Sequence, residues 1–297
     1  MADKKEIQEE LQALDNIKSL AENYEEIAAQ RMQRIRGYVI QARNYLSELS
    51  EVYVDLKTSY EKEVQELLDK REKDDKSLPK ILQKNSKTLL VYMSSNGRLY
   101  GAVTRKTYTK FIEELKKFDK DKIDLLIIGS AGKEMYESSS FDIPYEYVYI
   151  HDEKVNAEDI KKLMQKFLLY TKVIVYHGTF INVVRQNAIS SSITGDEFFE
   201  KKSEEEISQE ERFIFEPSFE KILRFFETQI MSALFKQTFS ENRLARQASR
   251  VNAMEQALIH IEDEREIVHQ EKIRLKHLTD NKKQLDRLSG YLLWETD

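Results

Sequence analysis

L-Q-A-L-D-N-I-K-S-L-A-E-N-Y-E-E-I-A-A-Q-R-M-Q-R, residues 11–34, decides the architecture. Its apolar residues Leu11, Leu14, Ile17, Leu20, Tyr24 and Ile27 step by three and four. At 3.6 residues per turn that spacing lays them along one stripe of an α-helix. The stripe begins at Ile7 and continues through Met32, Ile35, Val39, Ala42, Leu46, Leu49, Tyr53 and Leu56. It runs far past an ordinary helix of about 12 residues. A narrow stripe of this length, with charge elsewhere, predicts a coiled-coil seam. The run K-R-E-K-D-D-K (70–76) reads as a solvated linker and, with Pro79, ends it.

A second stripe lies at the other end of the chain. Val251, Met254, Leu258, Ile261, Val268 and Leu275 keep a heptad spacing, with Ile230 and Leu234 before them and Leu278, Leu285 and Leu288 after. Arg265 and Lys272 interrupt its second row. Some 75 helical residues would span about 110 Å, several times a small domain, so this helix needs a partner and the N-terminal stripe supplies one. Helix breakers are scarce where both helices are expected. The 297 residues hold 3 Pro and 8 Gly, where average usage would give roughly 15 and 20. Only Gly37 precedes Pro79, and only Gly290 follows the helix start near Pro217-Ser218.

Between the stripes the period changes. T-L-L-V-Y-M (88–93), I-D-L-L-I-I-G (123–129), Y-E-Y-V-Y-I (145–150) and K-V-I-V-Y-H (172–177) are short runs rich in β-branched and aromatic residues. Helical patterns at 108–118 and 157–170 separate them. Strands alternating with helices predict βαβ units and a mainly parallel sheet. A further strand pair is expected at 181–189 and 212–215, and K-K-S-E-E-E-I-S-Q-E-E (201–211) reads as an exposed acidic loop. The expected fold is a long antiparallel two-helix coiled coil with an inserted Rossmann-like α/β domain. Its parts are residues 1–75 (N-terminal helix), 76–211 (α/β domain) and 212–297 (C-terminal helix).

Composition narrows the chemistry. With no Cys, disulfides, thiol nucleophiles and Cys-based metal sites are excluded. A net charge of −6 gives no reason to expect nucleic acid as the main partner. No apolar run reaches a membrane span, and M-A-D-K-K-E-I-Q-E-E lacks a signal-peptide core, which predicts a cytoplasmic chain. Two glycine-bearing turns follow strands, S-S-N-G-R-L-Y-G (94–101) and G-S-A-G-K (129–133). Such turns can cradle phosphate on backbone N–H groups, but neither matches a P-loop or dinucleotide pattern. Gly97, Gly101, Gly129 and Gly132 therefore read as tight-turn residues, and the serine runs 94–95, 138–140 and 190–192 as turns. The five histidines form no H-E-x-x-H motif, and no metal or cofactor is expected. Arg31, Arg34, Arg36 and Arg43 form a basic collar on the first helix, with no compact body expected there to bury them. Such a collar can steer toward an acidic partner.

Four stretches resemble the γ subunit of F-type ATP synthases. Residues 11–34 resemble I-R-S-V-x-N-T-x-x-I-T-x-A-M-x-M-V-A-A-S-K-M-R-K, with Asn16, Ala28, Ala29 and Met32 identical and Arg31 in place of a lysine. S-S-N-G-R-L-Y-G (94–101) resembles S-S-D-R-G-L-C-G-G, and F-E-P-S (215–218) matches F-E-P-S. A-S-R-V-N-A-M-E-Q-A (248–257) is similar to A-x-R-M-x-A-M-x-N-A.

The resemblance implies a non-catalytic rotor shaft at the cytoplasmic face of the cell membrane. It would couple proton translocation to ATP synthesis or hydrolysis in a hexamer of α and β subunits, without binding nucleotide itself. It implies contact of Arg31 and Arg34 with an acidic lever loop of β, and of Lys276 and His277 with a β loop near the shaft tip. It places Glu227 and Lys236 near a foot facing a membrane c-ring, and gives the α/β domain to the ε subunit. The departures lie at Leu20-Ala21-Glu22-Asn23-Tyr24, at Tyr100 and Ala102, and along 276–284, where the family's R-Q-A-x-I-T-x-E-L is largely replaced. They indicate a divergent lineage. A shaft of an ATPase without ion coupling, and a nucleotide-binding enzyme with a coiled-coil arm, stand as alternatives.

Overall fold

The computed structural model describes residues 4–59, 85–139, 141–153, 156–194 and 219–294. The charged run 70–76, Pro79, the acidic loop 201–211, the strand expected at 212–215 and the F-E-P-S stretch lie outside them. The chain order is α1 (Lys4–Ser59), β1 (Asn85–Met93), α2 (Ala102–Leu115), β2 (Ile123–Ile128), α3 (Ser130–Glu137), β3 (Tyr145–Val148), α4 (Ala157–Phe167), β4 (Tyr170–Phe180), β5 (Gln186–Ser192) and α5 (Phe219–Trp294). By contact the chain divides into two units, Gln30–Ser249 and Met1–Ala29 with Arg250–Asp297.

In the first unit the sheet has the order β3-β2-β1-β4-β5. The first four strands are parallel and β5 is antiparallel to β4. The central strand β1 is apolar on both faces, as a parallel strand covered on both sides must be. Leu89, Val91 and Met93 point to one face, where Leu163 and Phe167 of α4, Phe235 and Phe239 of α5 and Leu46 of α1 pack. Leu90 and Tyr92 point to the other, with Tyr176 of β4, Phe111 of α2 and Tyr136 of α3. The Tyr92 and Phe111 rings stack at 5.2 Å and Tyr176 meets Phe111 edge-on at 5.3 Å. This alternation follows from the two-residue period of a strand.

Three local expectations need correction. The strand expected at 181–189 lies at Gln186–Ser192, because Asn182 Oδ1 accepts the N–H groups of Val184 and Arg185 and closes a turn there. Ser190, Ser191 and Ser192 are therefore strand residues, paired with Tyr176, Val175 and Ile174. Gly132 is not in a turn but inside α3. A Cβ there would sit 2.6 Å from that of Ser94, so the glycine lets α3 lie against the end of β1.

In the second unit α1 and α5 form an antiparallel pair. Lys18 bonds Glu262 at 2.9 Å and Asp15 bonds Arg265 at 2.9 Å, so one helix ascends as the other descends. From α5 the seam takes Val251, Ile261 and Val268, as the heptad spacing predicts. The α1 stripe is displaced in its middle. Ile7, Ala21 and Ala28 are buried, with Leu11, Leu14, Lys18 and Glu25 half-buried. Ile17, Leu20, Tyr24 and Ile27 are 51, 58, 40 and 42% exposed. The heptad steps of four and three from Ile7 lead to 11, 14, 18, 21, 25 and 28. The large apolar residues sit one position earlier, about 100° around the helix. Small residues at 21 and 28 line the seam instead.

Gly37 lies within continuous α1, exposed, with nothing within 4 Å of a Cβ placed on it. Gly37→Ala is expected to stabilise the chain by about 0.5–1 kcal/mol, by lowering the entropy of the unfolded state. Urea denaturation would show it as a higher midpoint at unchanged slope.

Candidate functional site

The turn after β1 decides whether this fold carries a phosphate site. In α/β sheets ligands bind beyond the carboxyl ends of the strands, and residues 94–101 leave such an end. The N–H groups of Asn96 and Gly97 in this turn are already taken. Asp152, after β3, places Oδ2 3.0 Å from the Asn96 N–H and 3.1 Å from that of Gly97. The Asn96 side chain donates to Ile150 O at 2.6 Å and accepts the Ser130 N–H of α3 at 3.0 Å. A carboxylate of the chain thus occupies the place of an external anion. Gly129 (φ 98) allows the second turn: its Cβ would fall 2.8 Å from the Ser95 backbone. Gly101 and Gly129 serve the tight turns expected of them.

The same turn fastens the sheet to α5. Arg246, 3% exposed, donates to Asp152 Oδ1 at 2.8 Å and to Ser94 O at 3.2 Å, with its guanidinium 5.0 Å from the Tyr100 ring centre. One turn earlier, Asn242 accepts the Gly178 N–H at 2.9 Å and donates to Met93 O at 3.3 Å. Glu241 accepts from Arg43 Nε at 2.9 Å and Thr179 Oγ1 at 2.8 Å. A polar row on α5 thus closes the backbone groups at the ends of β1 and β4. Of these residues the three on α5, Glu241, Asn242 and Arg246, were not candidates from sequence. The signal present was the break in the apolar pattern of α5 between residues 241 and 249.

Two buried groups in this region make the fold acid-sensitive. Burial opposes charging of His177, whose ring bonds Gly178 O and Ser191 Oγ, so its pKa falls below the usual value. Burial also opposes ionisation of Glu241, but the bonds from Thr179 and Arg43 and the Arg43 charge outweigh it and hold its pKa low. Both groups bind fewer protons folded than unfolded, so both contribute stability that is lost as pH falls. The His177 part starts to be lost below about pH 6.5. Unfolding free energy is expected to decline from neutrality toward acid, with a shallower slope in His177→Gln, checked by urea titrations at several pH values.

The basic collar is partly tied down. Arg43 is held by Glu241, and Arg31 forms an ion pair with Glu153 beyond β3. The α/β domain is therefore the compact body that the sequence reading did not expect beside the collar. Arg34 and Arg36 are exposed. Arg31 and Arg34 border a groove of about 560 Å³ between α1, α4 and α5, and Lys236 and Arg243 lie on its α5 side. Lys236, expected at the foot, is thus brought beside Arg31 and Arg34. The side chain of Glu227 lies outside the described residues. Lys276 and His277 are exposed on α5, and Lys276 borders a cleft with Lys4, Lys272 and Lys283.

Fold and site define a class: a two-helix coiled coil carrying an α/β domain, whose charged and apolar surfaces lie on helices and whose strand-end turn is filled from within. The family model described as ATP synthase matches residues 3–267. The chain belongs to this family, as a divergent homologue of the F-type gamma chain. It is 23% identical over 298 residues to the ATP synthase gamma chain of Protochlamydia amoebophila, covering 98% of both chains. To that of Mycoplasma mycoides it is 25% identical over 264 residues, covering 86% of each. Among solved structures, a chain of the Tetrahymena thermophila mitochondrial ATP synthase central stalk and c-ring superposes with a TM-score of 0.53 at 18% identity, over 80% of this chain and 99% of that one. A chain of the Euglena gracilis mitochondrial ATP synthase gives 0.52 at 14% identity, over 88% and 93%. No helix among the described residues is long and apolar enough to cross a membrane.

Proposed function

We propose that this chain is the central-stalk rotor of an F-type complex, turning within a hexamer of α and β subunits and coupling proton translocation to ATP synthesis or hydrolysis. Family membership supports it, and the single structural observation that carries it is the outward apolar row on α1. Ile17, Leu20 and Ile27 lie outside the α5 seam, 51, 58 and 42% exposed, although apolar side chains of this size normally fill a seam. Such a row needs a surrounding surface. Chemistry would reside in the partner subunits, and the chain would act by presenting unlike faces to them. Arg31 and Arg34 would meet an acidic lever loop of β, and Lys276 and His277 a β loop near the tip. The α/β domain would receive ε, and the segment around Glu227 would face the c-ring at the membrane surface.

Purification of the tagged chain from its source cell, with mass spectrometry of what accompanies it, tests the assignment. Co-purification of α and β subunits in excess over this chain is expected, and their absence would overturn it. Ring and stator subunits in the same preparation favour coupling to ion flow, and a complex lacking them favours the uncoupled ATPase. Arg31→Glu with Arg34→Glu is expected to slow ATP turnover of the assembled complex several-fold while assembly persists. Unchanged turnover would remove the collar from the mechanism.

A further inference from the structure

Two kinds of contact fasten α5 to the sheet, and they resist different motions. Ile230, Leu234, Phe235 and Phe239 pack with Val91, Met93 and Phe167. Apolar packing is non-directional, so it opposes separation more than it opposes sliding or twist. The next turns of the helix hold differently. Glu241, Asn242, Arg246 and Ser249 are all buried. Their partners lie on α1 (Arg43), β4 (Thr179 and Gly178), β1 (Met93) and the loop after β3 (Asp152). Ser249 adds α2: its Oγ accepts the Val103 N–H at 3.4 Å, in the first turn of a helix whose N-cap residue is Gly101. Hydrogen bonds weaken steeply when bent. Rotation of α5 about its own axis would bend bonds to all of these elements together. Ser249 is the last residue of this unit, and at Arg250 the helix passes into the other. The polar row therefore grips α5 where it leaves the α/β domain.

We propose that this row is the torque joint of the molecule, making the α/β domain and α5 turn as one body, and that Arg246 is its positioning residue. Its bond to Asp152 joins two charges largely withdrawn from water, and charge-assisted bonds are the strong ones. Asp152 in turn holds the N–H groups of Asn96 and Gly97. One guanidinium thus ties α5 to the ends of both β1 and β3 through a single carboxylate. The inference rests on the rotor reading and adds to it residues that touch no partner subunit. Torque passing between the α/β domain and the shaft must cross this joint, and slack in it would appear as angular play between them.

The test uses the full chain assembled with its α and β subunits. The sequence has no Cys, so Lys120→Cys, at an exposed position between α2 and β2, supplies a single labelling point on the α/β domain. A bead is attached there, the hexamer is fixed to a surface, and the angular spread of the bead is recorded in the pauses of ATP-driven rotation. Arg246→Met combined with Asp152→Asn is the deciding variant. It removes the charge pair without stranding either charge, so the urea midpoint is expected to stay near that of the unsubstituted chain. Its angular spread is expected to widen by roughly twofold, with unloaded ATP hydrolysis unchanged. Arg246→Met alone leaves the Asp152 carboxylate without its cation, and is expected to lower the midpoint as well. An unchanged spread in the double variant would overturn the proposal. So would a spread that widens only as far as the midpoint falls, which would make Arg246 a stabilising residue and nothing more. The two readings fail separately. If α and β subunits do not accompany the chain, the rotor reading falls and this one with it. If the bead turns with ATP and its spread ignores position 246, only the joint assignment falls.

Discussion

Gly101→Ala is expected to destabilise the unit spanning residues 30–249 by about 3 kcal/mol or more. Two independent costs meet at this position. Its φ of 60° and ψ of −151° fall in a region that only glycine occupies readily. A Cβ would also lie 2.5 Å from the carbonyl oxygen of Ser249 and 2.5 Å from its Oγ, and a helix backbone cannot yield as a side-chain end does. The strain would be relieved only by parting the 94–101 turn from α5, which loosens Arg246 from Asp152 and Ser94. Gly97→Ala four residues earlier is the control. There the added Cβ meets the Tyr100 ring at 3.3 Å, a side chain able to shift by a few tenths of an ångström. Its cost is expected to stay below about 1 kcal/mol. Urea denaturation of the two variants measures the difference, and equal midpoints would refute the account of the turn.

That turn also shows how far the sequence could be read. S-S-N-G-R-L-Y-G carries the family likeness, and its glycines mark tight backbone. What fills it is Asp152, some fifty residues along the chain, and Arg246, about a hundred further on. Nothing local distinguishes a loop that binds an external anion from one that binds a carboxylate of its own chain. The alternation of strands and helices, and with it a mainly parallel sheet, was legible because apolar runs and helical patterns alternate, and local periodicity is what sequence reports best. The position of β5 was not, since an asparagine side chain closing a turn shifts a strand without altering its apolar content.

The coiled coil gave a subtler difference. The α1 stripe read by size of side chain is correct from Met32 to Leu49 and displaced between Ile17 and Ile27. A strict heptad count from Ile7 would have reached Ala21 and Ala28 and left the larger residues outside. The count was obscured because Lys18 and Glu25 occupy seam positions. Preference for large apolar residues over regular spacing therefore selects the wrong face over about three helical turns. The collar was misjudged for a related reason: Arg31 and Arg43 look solvent-bound on a helix read alone, and become ion-pair partners once Glu153 and Glu241 are brought to them.

The displaced residues lead to the second large effect. Leu20→Glu combined with Ile27→Glu is expected to leave the isolated chain nearly as stable as before, because these side chains are 58 and 42% exposed in it. Exposed helix positions accept glutamate with little change in helix propensity. Within the proposed complex the same positions would face an enclosing surface. Burying each apolar side chain there would contribute roughly 1.5–3 kcal/mol, and the variant would instead bury two carboxylates without partners, a larger penalty. The recovery of α and β subunits with the tagged variant is therefore expected to fall by at least tenfold. Circular dichroism and the urea midpoint of the isolated chain would stay unchanged. A loss of folded chain would mean that the row stabilises the helix pair itself. Full recovery of the complex would mean that the row lies in water as the shaft turns, and that the charged groups carry the contact alone.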